Sequence, residues 1–203
     1  TIQANIENQD FTQTTRMLEI IGHSSHKVSH FIDELIRFGT DELALANWEP
    51  NVAILSAWEA EKLPVDNPNV NFSLEYPGSI QAFGSKIDEG IQHLLRNAIT
   101  AAGPNGNIKL STHEQDGGVS ILVVDNGPGI ASETAQRIFD PFFTTQTDTN
   151  SAGLGLHMVQ WVTRLHGGHI NLETDLGKGS EFRIWLPKVP QRQAKDLPEF
   201  NGR

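Results

Sequence analysis

The chain has 203 residues, a formal charge of −10 and no cysteine. The acidic balance argues against nucleic acid as a partner, and the lack of thiols excludes disulfides and suits a reducing cytosol. No apolar run approaches the length of a membrane span and no signal peptide is visible, so membrane attachment would come only through parts of a parent protein not present here.

Residues 11–38 contain no proline and a single glycine, Gly22. Met17, Ile21, Ser24, Val28, Phe31, Leu35 and Phe38 follow one another at alternating spacings of four and three, a heptad seam that Ile20, Ile32 and Ile36 widen. A helix with so broad a stripe packs either on its own domain or, the better reading, in an intermolecular four-helix bundle. Gly39-Thr40-Asp41 ends it. His23, His26 and His30 share one helical face, which suits a transition metal or, more simply, a polar flank beside the seam.

Beyond this helix the pattern alternates. It predicts a helix over 52–62 after Pro50, a strand over 70–76 closed by Pro77-Gly78, and a helix over 86–102 whose apolar face carries Ile91, Leu94, Leu95 and Ala98 and which stops at Gly103-Pro104. Strands over 108–112 and 119–124 form a hairpin across Asp116-Gly117-Gly118. A further helix opens at Gly153, since Leu154, Leu156, Val159, Val162 and Leu165 recur at helical spacing. Strands over 170–174 and 182–186 pair across Gly177-Lys178-Gly179, and from residue 190 the chain reads as a loose polar tail. The expected fold class is α+β, a two-layer sandwich of a mixed sheet with helices over one face, plus the long N-terminal helix.

The chemistry concentrates in two glycine runs and one asparagine. Asp125 ends a buried strand and is followed by Asn126-Gly127-Pro128-Gly129-Ile130. A buried carboxylate must be paired or hydrogen-bonded, and one at a strand end can accept from the exocyclic amine of adenine. Gly127 and Gly129 let the backbone turn sharply and approach a flat base. Gly153 and Gly155 place free amides at a helix start, where phosphate binds. Asn97 offers a hard oxygen suited to Mg²⁺ bridging phosphates. Singly, each run is also readable as an ordinary turn or an unliganded helix start. Their order and spacing together describe a pocket for adenine, a metal ion and a triphosphate.

From these residues the C-terminal part resembles the catalytic, ATP-binding domain of two-component sensor histidine kinases, with a Bergerat-type fold shared with gyrase, heat-shock chaperone and mismatch-repair ATPases. The matching segments, in family order, are His93-Leu94-Leu95-Arg96-Asn97-Ala98, residues 125–130, Phe139-Asp140-Pro141-Phe142-Phe143-Thr144-Thr145, residues 153–156 and Gly177-Lys178-Gly179-Ser180-Glu181-Phe182. The resemblance covers about residues 48–188. It implies ATP and Mg²⁺ as cofactors. It also implies that Ala101, Ile130, Thr144, Thr145, Leu154, Leu156 and Ser180 border the nucleotide beside Asn97, Asp125 and the glycines. Residues 1–40 then read as the second helix of the dimerisation and phosphotransfer hairpin, 41–190 as the catalytic domain and 191–203 as a disordered tail. A homodimer through the N-terminal helix, a response-regulator receiver domain as partner and a cytoplasmic location are implied with it.

Several positions depart from the family pattern. Neither His23, His26 nor His30 is followed by the acidic residue and proline expected of a phosphoacceptor, so the acceptor is expected outside this chain, with His30 next in line because Ser29 precedes it. Residues 140–151, the expected lid, carry no Lys or Arg. Gln146 and Thr100 stand where relatives often place cations, and Arg96 either helps the phosphates or faces solvent. His93 lies one helical turn before Asn97, where ATPase relatives keep a glutamate base. Part of a histidine population is protonated near neutral pH, which argues for transfer to a side chain over hydrolysis, unless His93 only packs locally. The expected activity is an ATP-dependent protein histidine kinase. The alternative is a nucleotide-binding dimeric scaffold that regulates a partner without catalysis.

Overall fold

The computed structural model describes residues 17, 22, 45–61, 68–145 and 153–190. Apart from Met17 and Gly22, the seam of 11–38 with the three histidines His23, His26 and His30 lies outside the described residues, as do residues 146–151 of the expected lid, Gln146 included, and the tail of 191–203.

The described elements run β1 (Ala46–Trp48), α1 (Pro50–Ala60), β2 (Asn69–Leu74), β3 (Ile80–Ala82), α2 (Gly84–Ala102), β4 (Asn107–Gln115), β5 (Gly118–Asp125), α3 (Ser132–Ala135), α4 (Gly155–Leu165), β6 (His169–Asp175) and β7 (Gly179–Pro187). Five strands form one sheet in the order β2-β4-β5-β7-β6. The β2–β4 pair is parallel and the others are antiparallel, so the sheet is mixed, as the sequence predicts. The short strands β1 and β3 pair with each other as a separate ribbon. Neither was expected, because three residues are too few to display a period.

Helix α2 buries Ile87, Gly90, Ile91, Leu94, Leu95 and Ala98 at spacings of three and four, the stripe that a sheet-covering helix requires. It lies over β4, β5 and β7, with α4 beside it over β6 and β7 and α1 against its outer side. Register aligns Thr112, Ile121, Ile184 and Ile170 in one row across four strands. The first three are almost fully buried, so this face of the sheet meets the helices. The result is a two-layer α+β sandwich.

The turns show why glycine was needed. Asp116 and Gly117 both take positive φ, 49° and 72°, the conformation of a two-residue hairpin turn whose twist suits antiparallel strands. Gly118, expected in that turn, instead begins β5, where a Cβ would collide with the Leu186 carbonyl oxygen. Gly179 likewise begins β7 with φ of 92°, and a Cβ there would collide with the Asp125 carbonyl oxygen.

Candidate functional site

A cavity of about 720 Å³ opens between α2, the end of β5, the turn after it and the start of α4, within the size range of small-molecule and cofactor sites. Asp125 closes its floor. Helix α2 contributes His93, Asn97 and Ala101, which fall on one side because they are four residues apart, with Arg96 and Thr100 beside them. The turn supplies Gly129 and Ile130. Thr144 and Thr145 come from the far rim, Gly153, Leu154, Gly155 and Leu156 from the approach to α4 and its first turn, and Ser180 from β7. Of the residues selected from sequence, Gly127 alone does not border the cavity.

Gly127 acts one step away. Its N–H donates to Asp125 Oδ1 at 2.8 Å. A Cβ at Gly127 would stand 2.6 Å from the Ala101 carbonyl oxygen and 2.8 Å from that same carboxylate oxygen. Asp125 is 4% exposed. Burial raises its pKa above the ordinary 3.8, against the opposing pull of the Gly127 and Ser180 backbone N–H groups. The carboxylate is therefore held by two donors and still lacks part of the solvation it would have in water. A further donor from a ligand would be favourable there.

The second glycine run corrects one expectation. Gly153 does not start the helix. It takes φ of 71° and packs on the backbone of Phe142 and Phe143, where a Cβ would come within 2.6 Å of the Phe142 carbonyl carbon. Leu154 is the cap and α4 starts at Gly155. The apolar period begins at Leu154, so sequence could not separate the turn from the helix. The first helical bond runs from the Met158 N–H to the Leu154 carbonyl, which leaves the amides of Gly155, Leu156 and His157 as the unbonded donors of the first turn. Gly155 also makes room for His93, because a Cβ there would lie 3.0 Å from His93 Nδ1.

Cations are sparse at the site. Among the described residues bordering the cavity, Arg96 is the only Lys or Arg, and its Nε donates to Glu61 Oε1 at 2.9 Å. Arg96 thus borders the cavity while its ion-paired side chain stays largely exposed to solvent. Arg137, which sequence reasoning passed over, stacks 4.7 Å from the centre of the Phe143 ring. The lining residues Thr134 and Ile138 were not selected from sequence; they follow the glycine turn at a spacing of four, which was the available signal. No cluster of three His, Cys, Asp or Glu that could hold a metal occurs among the described residues. Asn97 is exposed to the cavity. A lone amide oxygen does not fit a resident metal, but it does fit a Mg²⁺ that arrives with phosphate oxygens and keeps several waters.

Comparison with known proteins identifies relatives of this fold. The profile of the family described as "Histidine kinase-, DNA gyrase B-, and HSP90-like ATPase" matches residues 84–190. The sensor histidine kinase ZraS of Escherichia coli K12 is 41% identical over 108 residues, covering 53% of this chain and 23% of ZraS. The sensor-like histidine kinase SenX3 of Mycolicibacterium smegmatis is 30% identical over 194 residues, covering 88% of this chain and 50% of SenX3. The catalytic domain of histidine kinase ThkA superposes with a TM-score of 0.66 at 30% identity, covering 74% of this chain and 99% of that domain. The chain thus spans between about a quarter and a half of these two curated relatives.

Proposed function

The chain belongs to the family of histidine kinase-, DNA gyrase B- and HSP90-like ATPases, as a sensor histidine kinase ATP-binding domain, and we propose that it binds Mg-ATP and passes the γ-phosphoryl to a histidine imidazole. The observation that carries this reading is the buried, two-donor Asp125 carboxylate in a cavity that the amide-bearing start of α4 also lines. Asp125 accepts from the 6-amino group of adenine. The amides of Gly155, Leu156 and His157 receive phosphate oxygens at the positive end of the helix. Asn97 would hold Mg²⁺ together with the phosphates, and that ion supplies charge neutralisation where cations are few. In the transfer, the bond from the γ-phosphorus to its bridging oxygen breaks, a P–N bond to the imidazole forms and ADP leaves. Positioning and charge stabilisation supply most of the catalysis. His93 packs against Gly155 in the first turn of α4, beside the amides that would take the phosphates.

The reading extends to a homodimer through residues 1–40, a response-regulator receiver domain that takes the phosphoryl group, and a cytoplasmic setting. The sparse cations favour a second reading, a nucleotide-binding scaffold without transfer. Incubation with γ-labelled ATP and a bundle fragment carrying a phosphoacceptor histidine separates the two. Acid-labile, base-stable label on the fragment is expected. Tight nucleotide binding with no label would leave the scaffold.

A further inference from the structure

Behind the Asp125 and Ser180 wall of the cavity lies the hydroxyl of Thr174, which nothing in the sequence singled out. Register places Ile108, Asp125, Ser180 and Thr174 in one row across β4, β5, β7 and β6. Thr174 Oγ1 accepts from the Ile130 N–H at 2.9 Å, donates to the Gly179 carbonyl at 2.9 Å and lies 3.1 Å from Ser180 Oγ. A hydroxyl has one proton and two lone pairs. The Gly179 carbonyl takes the proton of Thr174 and the Ile130 amide takes one lone pair. The contact with Ser180 is therefore made with Ser180 as the donor.

We propose that Thr174 is a positioning residue that fixes the polarity of Ser180 and so sets the purine specificity of the pocket, a refinement that rests on the nucleotide reading above. With its proton committed to Thr174, Ser180 offers the cavity lone pairs only. Asp125, one strand over in the same row, presents its carboxylate as a second acceptor. Two acceptors side by side demand a donor from the base, directly or through one water. A 6-amino purine satisfies them, and a 6-oxo purine leaves both facing its carbonyl oxygen. The same hydroxyl ties Ile130, in the glycine turn, to the β6–β7 turn, so both walls of the base site are held by one side chain.

The test is the ratio of affinities for ATP and inosine triphosphate, which differ at the 6-position, measured by calorimetry with Mg²⁺ on the whole chain. In Thr174→Val the shape is kept, but Ser180 is freed to turn its proton into the cavity. ATP should weaken by about tenfold, the worth of one hydrogen bond, while inosine triphosphate weakens less or gains, so the ratio collapses. Thr174→Ser should restore the wild-type ratio. Equal losses for both nucleotides in Thr174→Val would mean a structural role alone and would overturn the proposal. Ser180→Ala covers the case in which Thr174→Val fails to fold: an unchanged ratio there also overturns it. Absence of binding of either nucleotide to the wild type would remove the pocket reading and this inference with it, whereas tight ATP binding with an insensitive ratio removes this inference alone.

Discussion

Asp125→Asn should separate binding from stability. The amide oxygen of asparagine can keep the Gly127 N–H bond of 2.8 Å. Its NH₂ must then face either the Ser180 N–H, which the carboxylate accepts, or the adenine amine. Either choice sets donor against donor. A charge-assisted bond is worth about 1.5–3 kcal/mol, and a mispaired buried group costs a similar amount. The expected loss in ATP affinity is therefore at least tenfold and up to about a hundredfold by calorimetry at neutral pH. The fold should respond differently. The native pKa of Asp125 lies above its unfolded value of 3.8 because burial disfavours the charge. Above the native pKa the ionised group thus subtracts from stability, and that penalty fades as pH falls through it. Removing the charge lifts that penalty and offsets the mispairing at the Ser180 N–H, so the apo melting temperature at neutral pH should change little. Unchanged ATP affinity would refute the pocket assignment, and weaker binding that merely tracks a lower melting temperature would refute the role given to the carboxylate.

Gly179→Ala should cost about 1–3 kcal/mol, since φ is 92° and the Asp125 carbonyl oxygen fills the space; a thermal melt unchanged from wild type would contradict this. His166 donates from Nδ1 to the Val162 carbonyl at 2.7 Å and accepts at Nε2 from the Phe83 N–H at 2.9 Å, which requires the neutral ring, and burial lowers its pKa below 6.5. Its contribution to stability is full above 6.5 and drains as pH falls through the lower native value, so denaturant titrations from about pH 7.5 to about pH 5 should show a steeper loss, on the order of 1 kcal/mol, in wild type than in His166→Gln; parallel losses would contradict it. Phe31→Glu with Leu35→Glu should convert a dimer to a monomer in light scattering without loss of ATP binding; a wild type already monomeric at high concentration would end the dimer proposal.

The parts of the site that could be read from sequence are those where chemistry restricts the residue. Gly129 and Gly155 are glycine because a carbonyl oxygen or the His93 ring occupies the space of a Cβ. Asp125 stood out because a carboxylate rarely ends an apolar strand. The long helices were legible from their periods, and α2 carries the buried stripe expected of it. What stayed hidden depends on distant partners. Gly153 and Gly155 look alike in sequence, and only the packing on Phe142 makes the first a turn. Thr174 gains meaning solely through strand register, which pairs it with Ser180. Arg96 meets Glu61, thirty-five positions away, and no local pattern marks that pair.

In the proposed complex the cavity takes ATP with its base on Asp125 and its phosphates on the start of α4. A crystal structure of the chain with Mg²⁺ and a non-hydrolysable ATP analogue tests it most directly. The account predicts the 6-amino group within hydrogen-bond reach of the Asp125 carboxylate, phosphate oxygens on the amides of residues 155–157 and the ion on the Asn97 amide oxygen. A base bound away from Asp125, or phosphates directed away from α4, would contradict it.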